Sequence, residues 1–282
     1  QNLTSDGRNH FTHAHDSSQL YNVGEVNPYI EAFFKWWKLD LHTTLRELRV
    51  TGGEPLMSPN LWRLIEWFKD NVDKSQTTLA INSNLGAKDD LMDRLVDARN
   101  YLPRLDVYTS CEATGAQAEY IRDGLEFSNW HKNLIRLAEA DINTHVMCTI
   151  NALCLSTLLP LLRLLSTLRR IYGESAAVFS LNILRFPSFQ SCLVLPIDNR
   201  EHAARDLELF LESNEHMLHE FEHGQVVRLV EYLRTVKTPH SEAFEMPKLH
   251  NDFKQFYTQY DIRRNKNFSK TFPELAEWYD TL

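Results

Sequence analysis

The chain has 282 residues, of which 43% are hydrophobic and 24% charged, with a formal net charge of -8 at pH 7. That is enough apolar material for a sizeable core, and the acidic balance without any long run of Lys or Arg argues against a general nucleic-acid binder. No apolar run approaches the roughly 20 residues needed to span a bilayer and no secretory signal opens the sequence, which predicts a cytoplasmic protein without nucleic-acid or membrane partners.

The sequence opens at Gln1, and Asn2 to Asn9 read as the middle of a loop, so a segment upstream is expected. Pro28 to Leu39 is a predicted helix, followed by a strand over Leu45 to Val50 and a helix from about Ser58 to Val72 with Leu61, Leu64, Ile65 and Phe68 on one face. A strand over Thr77 to Ile81 leads into the polar turn Asn82-Ser83-Asn84-Leu85-Gly86, where Gly86 is expected to supply a positive φ. Asp89 and Asp90 then start a helix carrying Leu91, Leu95 and Val96. Leu105 to Thr109 is a third strand, Ala116 to Ala140 helical, Thr144 to Ile150 a fourth strand, Leu155 to Tyr172 an apolar helix and Val178 to Leu184 a fifth strand. Strands alternating with helices in this way predict βαβ units and a parallel sheet.

Beyond about Asp198 the pattern becomes helix after helix, with candidates at Glu201 to Glu212, His216 to Val236 and Pro247 to Arg264 and a short last one from Pro273. The division is placed near Pro196: residues 1–196 as an α/β core and 197–282 as a helical extension. The four cysteines, Cys111, Cys148, Cys154 and Cys192, form no CxxC pair and read as buried, reduced thiols.

The most informative stretch is Thr51-Gly52-Gly53-Glu54-Pro55, directly after the first strand. Two glycines leave the backbone bare enough for a ligand to reach its carbonyls, Glu54 adds an anionic acceptor and Pro55 stiffens the exit, a set suited to an ammonium group. It sits at the C-terminal end of a strand, where parallel sheets place their ligands. As an ordinary tight loop the same residues need no ligand.

Together with Asn82-Ser83-Asn84-Leu85-Gly86, Thr109-Ser110-Cys111-Glu112 and Tyr120-Ile121-Arg122, this loop resembles the radical S-adenosylmethionine (radical SAM) enzymes, and more narrowly those with a C-terminal twitch segment. The stretches Cys148-Thr149-Ile150-Asn151-Ala152-Leu153, Arg185-Phe186-Pro187-Ser188-Phe189-Gln190 and Tyr260-Asp261-Ile262-Arg263-Arg264 extend the likeness from about Pro28 to the end of the chain. The resemblance implies a partial, TIM-like (β/α)6 barrel lacking its first strand, with that strand and its CxxxCxxC loop expected before Gln1. It implies a [4Fe-4S] cluster whose ligands lie outside this chain, S-adenosylmethionine as cofactor, a peptide or small-molecule substrate, and an electron donor such as a flavodoxin or ferredoxin. Gly52, Gly53 and Glu54 would hold the methionine amino group, with Pro55 in the same cofactor-binding loop, and Ser110 with Arg122 would receive its carboxylate. Asn82 and Asn84 would touch cofactor or substrate, Asn151 a ribose, and Leu184 the adenine. Outside the resemblance, Arg122 has a plainer reading as the partner of Asp123 or Glu119 on a solvated helix face.

One motif competes. His219-Glu220-Phe221-Glu222-His223 matches HExxH, which on a helix sets two imidazoles on one face with a Glu to activate zinc-bound water, Glu242 or Glu245 being possible third ligands. His10, His13, His15 and Asp16 form a looser group. A non-catalytic reading takes the C-terminal aromatics, Phe253, Phe256, Tyr257, Tyr260, Phe268, Phe272, Trp278 and Tyr279, as a docking surface, although at helical spacing such residues pack on a core.

Overall fold

The computed structural model describes residues 27–235 and 246–282. His10, His13, His15, Asp16, Glu242 and Glu245 lie outside the described residues. The chain is α/β, and the five strands among the described residues follow one another in the sheet order β1-β2-β3-β4-β5. It separates between Tyr108 and Thr109 into two compact units.

The first unit begins with α1 (Pro28–Trp36), where Pro28 occupies the first turn and Asn27 accepts the Tyr29 N–H at 3.0 Å. The predicted helix to Leu39 stops being α-helical after Trp36: the chain makes a π-helical turn over Trp37–Leu41, which buries both Trp37 and Leu41, and then the short α2 (His42–Thr44). β1 (Glu47–Val50) is two residues shorter than expected at its start. Helix α3 (Pro59–Asp70) buries the stripe read from the sequence, Leu61, Leu64, Ile65 and Phe68. β2 (Thr78–Asn82), α4 (Asp89–Ala98) and the beginning of β3 (Arg104–Ser110) complete the unit. β1 and β2 run parallel with Val50 opposite Ile81, and β2 and β3 run parallel with Asn82 opposite Tyr108.

The second unit carries α5 (Gly115–Ile121), α6 (Phe127–Glu139), β4 (Asn143–Ile150), α7 (Leu155–Tyr172) and β5 (Val178–Ile183), with β4 and β5 parallel and Thr149 opposite Asn182. The helical stretch expected over Ala116 to Ala140 is thus two helices, because Arg122 leaves the helix in an extended conformation and Gly124 takes a φ of 86°. Pro196 directly precedes α8 (Ile197–Asn214), and α9 (Glu220–Leu233), α10 (Met246–Arg264), α11 (Phe268–Thr271) and α12 (Pro273–Thr281) follow.

The C-terminal aromatics pack inward. Phe253, Phe268 and Phe272 are buried, and Tyr120 at the end of α5 lies edge-on to Phe268 and Phe272 with ring centroids 6.2 and 5.0 Å away. The Tyr120 hydroxyl donates to Asp261 Oδ1 at 2.7 Å, and Asp261 Oδ2 accepts the Phe268 N–H at 2.7 Å, so one carboxylate ties α5, α10 and α11 together. Among the described residues, no helix is long and apolar enough to cross a membrane.

The edge of β5 is closed by side chains. Glu222 Oε1 accepts the Phe179 N–H at 2.7 Å, Gln225 Oε1 accepts the Leu181 N–H at 2.5 Å, and Arg228 Nη2 donates to the Leu181 carbonyl at 2.9 Å. These three residues recur every third position of α9, so the helix satisfies backbone groups that another strand would otherwise meet.

Candidate functional site

In the first unit the loop after β1 is built around Glu54. Its carboxylate caps the turn Pro55–Met57 by accepting the Leu56 N–H at 3.2 Å through Oε1, and reaches the loop after β2, where Oε2 accepts the Asn84 N–H at 2.9 Å. Two strand-end loops are therefore fastened by one side chain. Gly52 takes a φ of 132°, a backbone that side-chain-bearing residues rarely adopt, whereas Gly53 does not take a positive φ. Among the described residues nothing lies within 4 Å of a Cβ built on either glycine, so they leave the backbone here open.

In the turn after β2 the left-handed residue is Leu85, with φ 53°, and not Gly86 as the sequence suggested. Gly86 is closely approached instead: its N–H donates to Asn84 Oδ1 at 2.7 Å, and a Cβ would stand a tight 3.0 Å from the same oxygen. Asn82 ends β2, and its Oδ1 is buried without a hydrogen-bond partner among the described residues. A buried acceptor left alone is costly, and a ligand donor would satisfy it.

In the second unit an open cavity of about 500 Å³ is lined by Glu112, Arg122, Thr149, Asn151, Leu184 and Gln190 and walled by Tyr120, Phe256, Tyr257 and Tyr260. Arg122, Asn151 and Leu184, expected from separate stretches of sequence to contact one cofactor, come together here. Ser110 closes β3 and is not among the lining residues. Asn151 is held in a tight turn, its Nδ2 donating to the Thr149 carbonyl at 2.9 Å and its Oδ1 accepting the Leu153 N–H at 2.9 Å. The Leu184 N–H continues the β4 to β5 ladder by donating to the Ile150 carbonyl at 2.9 Å, which fixes the side chain at the strand end.

Arg122 does not pair with Asp123 or Glu119. Its Nε donates to Glu112 Oε2 at 2.7 Å and its Nη2 to Glu112 Oε1 at 2.5 Å, a two-point ion pair, while Thr149 N–H also donates to Oε1 at 3.3 Å. Asp123 instead meets Arg264 and Lys266, and Glu119 accepts the Phe127 N–H. Burial works against the charged guanidinium, but the hydrogen bonds and charge of Glu112 outweigh it and the Arg122 pKa is raised.

No family model, curated protein or solved structure matches the chain.

The residues of these sites suit part of the implied cofactor set. The open glycine loop, the Glu54 carboxylate and the orphaned Asn82 oxygen fit groups that donate hydrogen bonds, and the aromatic-walled cavity fits a nucleoside-sized ligand. An iron-sulfur cluster is not provided for by the described residues. Cys111, Cys148, Cys154 and Cys192 are all buried, burial pushes Cys111 and Cys154 up to about 12 and the other two well above their ordinary value, and thiolates are what such a cluster needs. Cys111 points its Sγ at the Ala113 carbonyl, 3.2 Å away.

The HExxH segment is differently employed. His219 stands ahead of α9 in an extended conformation, its N–H donating to Glu222 Oε2 at 3.0 Å, so the motif straddles a helix start instead of lying along a helix face. Glu222 is fully buried, paired with Arg169. Among the described residues, no group of three or more His, Cys, Asp or Glu side chains could hold a metal ion.

Sequence reasoning passed over Glu112, Thr149, Gln190 and the aromatic wall as site residues. Glu112 carried a usable signal: an acidic residue two positions past a strand end, at the edge where ligands bind.

Proposed function

We propose that this chain binds S-adenosylmethionine as the cofactor-holding portion of a radical SAM enzyme acting on a peptide or small-molecule substrate. The observation that carries the reading is the convergence of Arg122, Asn151 and Leu184 on one cavity with an aromatic wall. In this reading the guanidinium of Arg122 receives the methionine carboxylate, the Asn151 amide meets a ribose hydroxyl, and Leu184 packs on the adenine. In the other unit the Gly52 and Gly53 carbonyls, the Glu54 carboxylate and Asn82 Oδ1 offer acceptors of the kind an amino group needs, and their assignment to the amino group of the same ligand rests on the resemblance alone. Ser110 and Asn84 are assigned to the same ligand on the resemblance alone.

When bound to a [4Fe-4S] cluster and reduced by a flavodoxin or ferredoxin, S-adenosylmethionine supplies a 5'-deoxyadenosyl radical for hydrogen abstraction. In this reading the described residues contribute binding and orientation and leave the cluster thiolates to be supplied from elsewhere.

Equilibrium binding tests the reading. Wild-type protein is expected to bind S-adenosylmethionine with saturation at one site, and Arg122→Ala is expected to weaken that binding about tenfold or more. Absence of saturable binding, or an Arg122→Ala variant that binds as well as wild type, sinks it. A CxxxCxxC loop encoded shortly before Gln1, followed by release of 5'-deoxyadenosine from the anaerobically reconstituted longer protein, tests the chemistry.

A further inference from the structure

We infer that Glu112 is a positioning residue that makes the cavity selective for ligands bearing a carboxylate, an inference that rests on the cofactor reading above. Glu112 is only 3% exposed, yet it carries a full set of partners: both donors on one edge of the Arg122 guanidinium and the backbone N–H of Thr149 at the end of β4. A guanidinium has five N–H donors on two usable edges. Glu112 occupies the edge formed by Nε and Nη2, which leaves both Nη1 hydrogens and the second Nη2 hydrogen without a partner among the described residues. Those donors belong to a side chain that lines the cavity.

The consequence is orientation. Arg122 lies outside the α5 helix on extended backbone, where its long side chain would otherwise sample many rotamers. Clamping one edge to a buried carboxylate that is itself fixed to β4 leaves the adjacent edge, formed by Nη1 and Nη2, as a preformed fork, the geometry that a carboxylate meets at two points. Glu112 also offsets the charge of Arg122, so an anionic ligand adds to a neutral pair and gains its affinity from directed hydrogen bonds more than from net attraction. A neutral amide cannot substitute: one of its two terminal atoms is a donor and meets the donors of Arg122 head on.

The test compares S-adenosylmethionine with its decarboxylated form, which keeps the sulfonium, the amine and the nucleoside. Wild type is expected to prefer S-adenosylmethionine by about tenfold or more, and Glu112→Gln to lose that preference by weakening S-adenosylmethionine while leaving the decarboxylated ligand within about twofold. Equal weakening of both ligands would mark Glu112 as a merely structural residue and overturn the inference, as would an unchanged preference. If Glu112→Gln does not fold, Glu112→Asp, which keeps the charge but withdraws it by one methylene, is expected to show the same selective loss at smaller size. An Asp variant with the wild-type preference overturns the inference. Failure of wild type to bind either ligand removes the cofactor reading itself, whereas binding of both without preference removes only the role given to Glu112.

Discussion

Glu222 of α9 and Arg169 of α7 form a buried ion pair, with Arg169 Nη1 donating to Glu222 Oε2 at 2.8 Å while Glu222 Oε1 also takes the Phe179 N–H at 2.7 Å. Removing one member of such a pair leaves the other charge buried and uncompensated. Glu222→Ala is expected to lower the free energy of unfolding by about 3–5 kcal/mol, read by urea titration, and Glu222→Gln by less because the amide oxygen can still accept from Phe179. A loss below about 1 kcal/mol in the alanine variant would contradict this account.

The same pair bears on the HExxH segment. Since His219 sits ahead of the helix and Glu222 serves β5, purified protein is expected to show the same zinc content before and after His219→Ala. Loss of stoichiometric zinc in the variant would revive a hydrolase.

The two glycines after β1 are predicted to respond differently. Gly52→Ala forces a side chain onto a φ of 132° and is expected to cost about 1–3 kcal/mol, whereas Gly53, with open space around it and no positive φ, should accept alanine at little cost in stability. If Gly53→Ala keeps its unfolding midpoint but binds S-adenosylmethionine more weakly, the loss reports ligand approach to the backbone and not misfolding.

The buried thiols set an alkaline limit. Cys111 and Cys154 are pushed by burial up to about 12 from an ordinary value of 9, so the folded state holds its protons more tightly than the unfolded one. Their contribution is therefore intact below about pH 9 and is lost as pH rises from 9 towards 12, with a slope approaching about 1.4 kcal/mol per pH unit for each thiol. Urea unfolding at pH 8, 9 and 10 should show stability falling above pH 9, with a shallower fall in Cys111→Ala. Native protein should also resist alkylation by iodoacetamide at all four cysteines and react fully in urea.

Helix α7 was legible to the residue, because Leu155 to Tyr172 is a long apolar run ending at Gly173, and so was the buried stripe of α3. Periodicity reports which face is apolar, and there the tertiary structure agrees. The partner of Arg122 was not legible: Asp123 is adjacent in sequence and Glu119 a helical neighbour, while Glu112 meets it only because Arg122 turns out of α5. Equally, HExxH names residue types, but whether His219 is inside or ahead of a helix depends on where α9 begins. The site was readable as separate strand-end loops. The cavity was readable only in part, since Phe256, Tyr257 and Tyr260 enter it from α10, more than a hundred residues after Arg122.

The helix laid along β5 gives the sheet a direction. Glu222, Gln225 and Arg228 already occupy backbone groups of Phe179 and Leu181, so a foreign strand arriving there would have to displace a whole helix. Among the described residues, β1 at the other end of the strand order has β2 as its only strand neighbour. Variants that loosen α9 should therefore uncover the β5 edge and aggregate more readily than wild type.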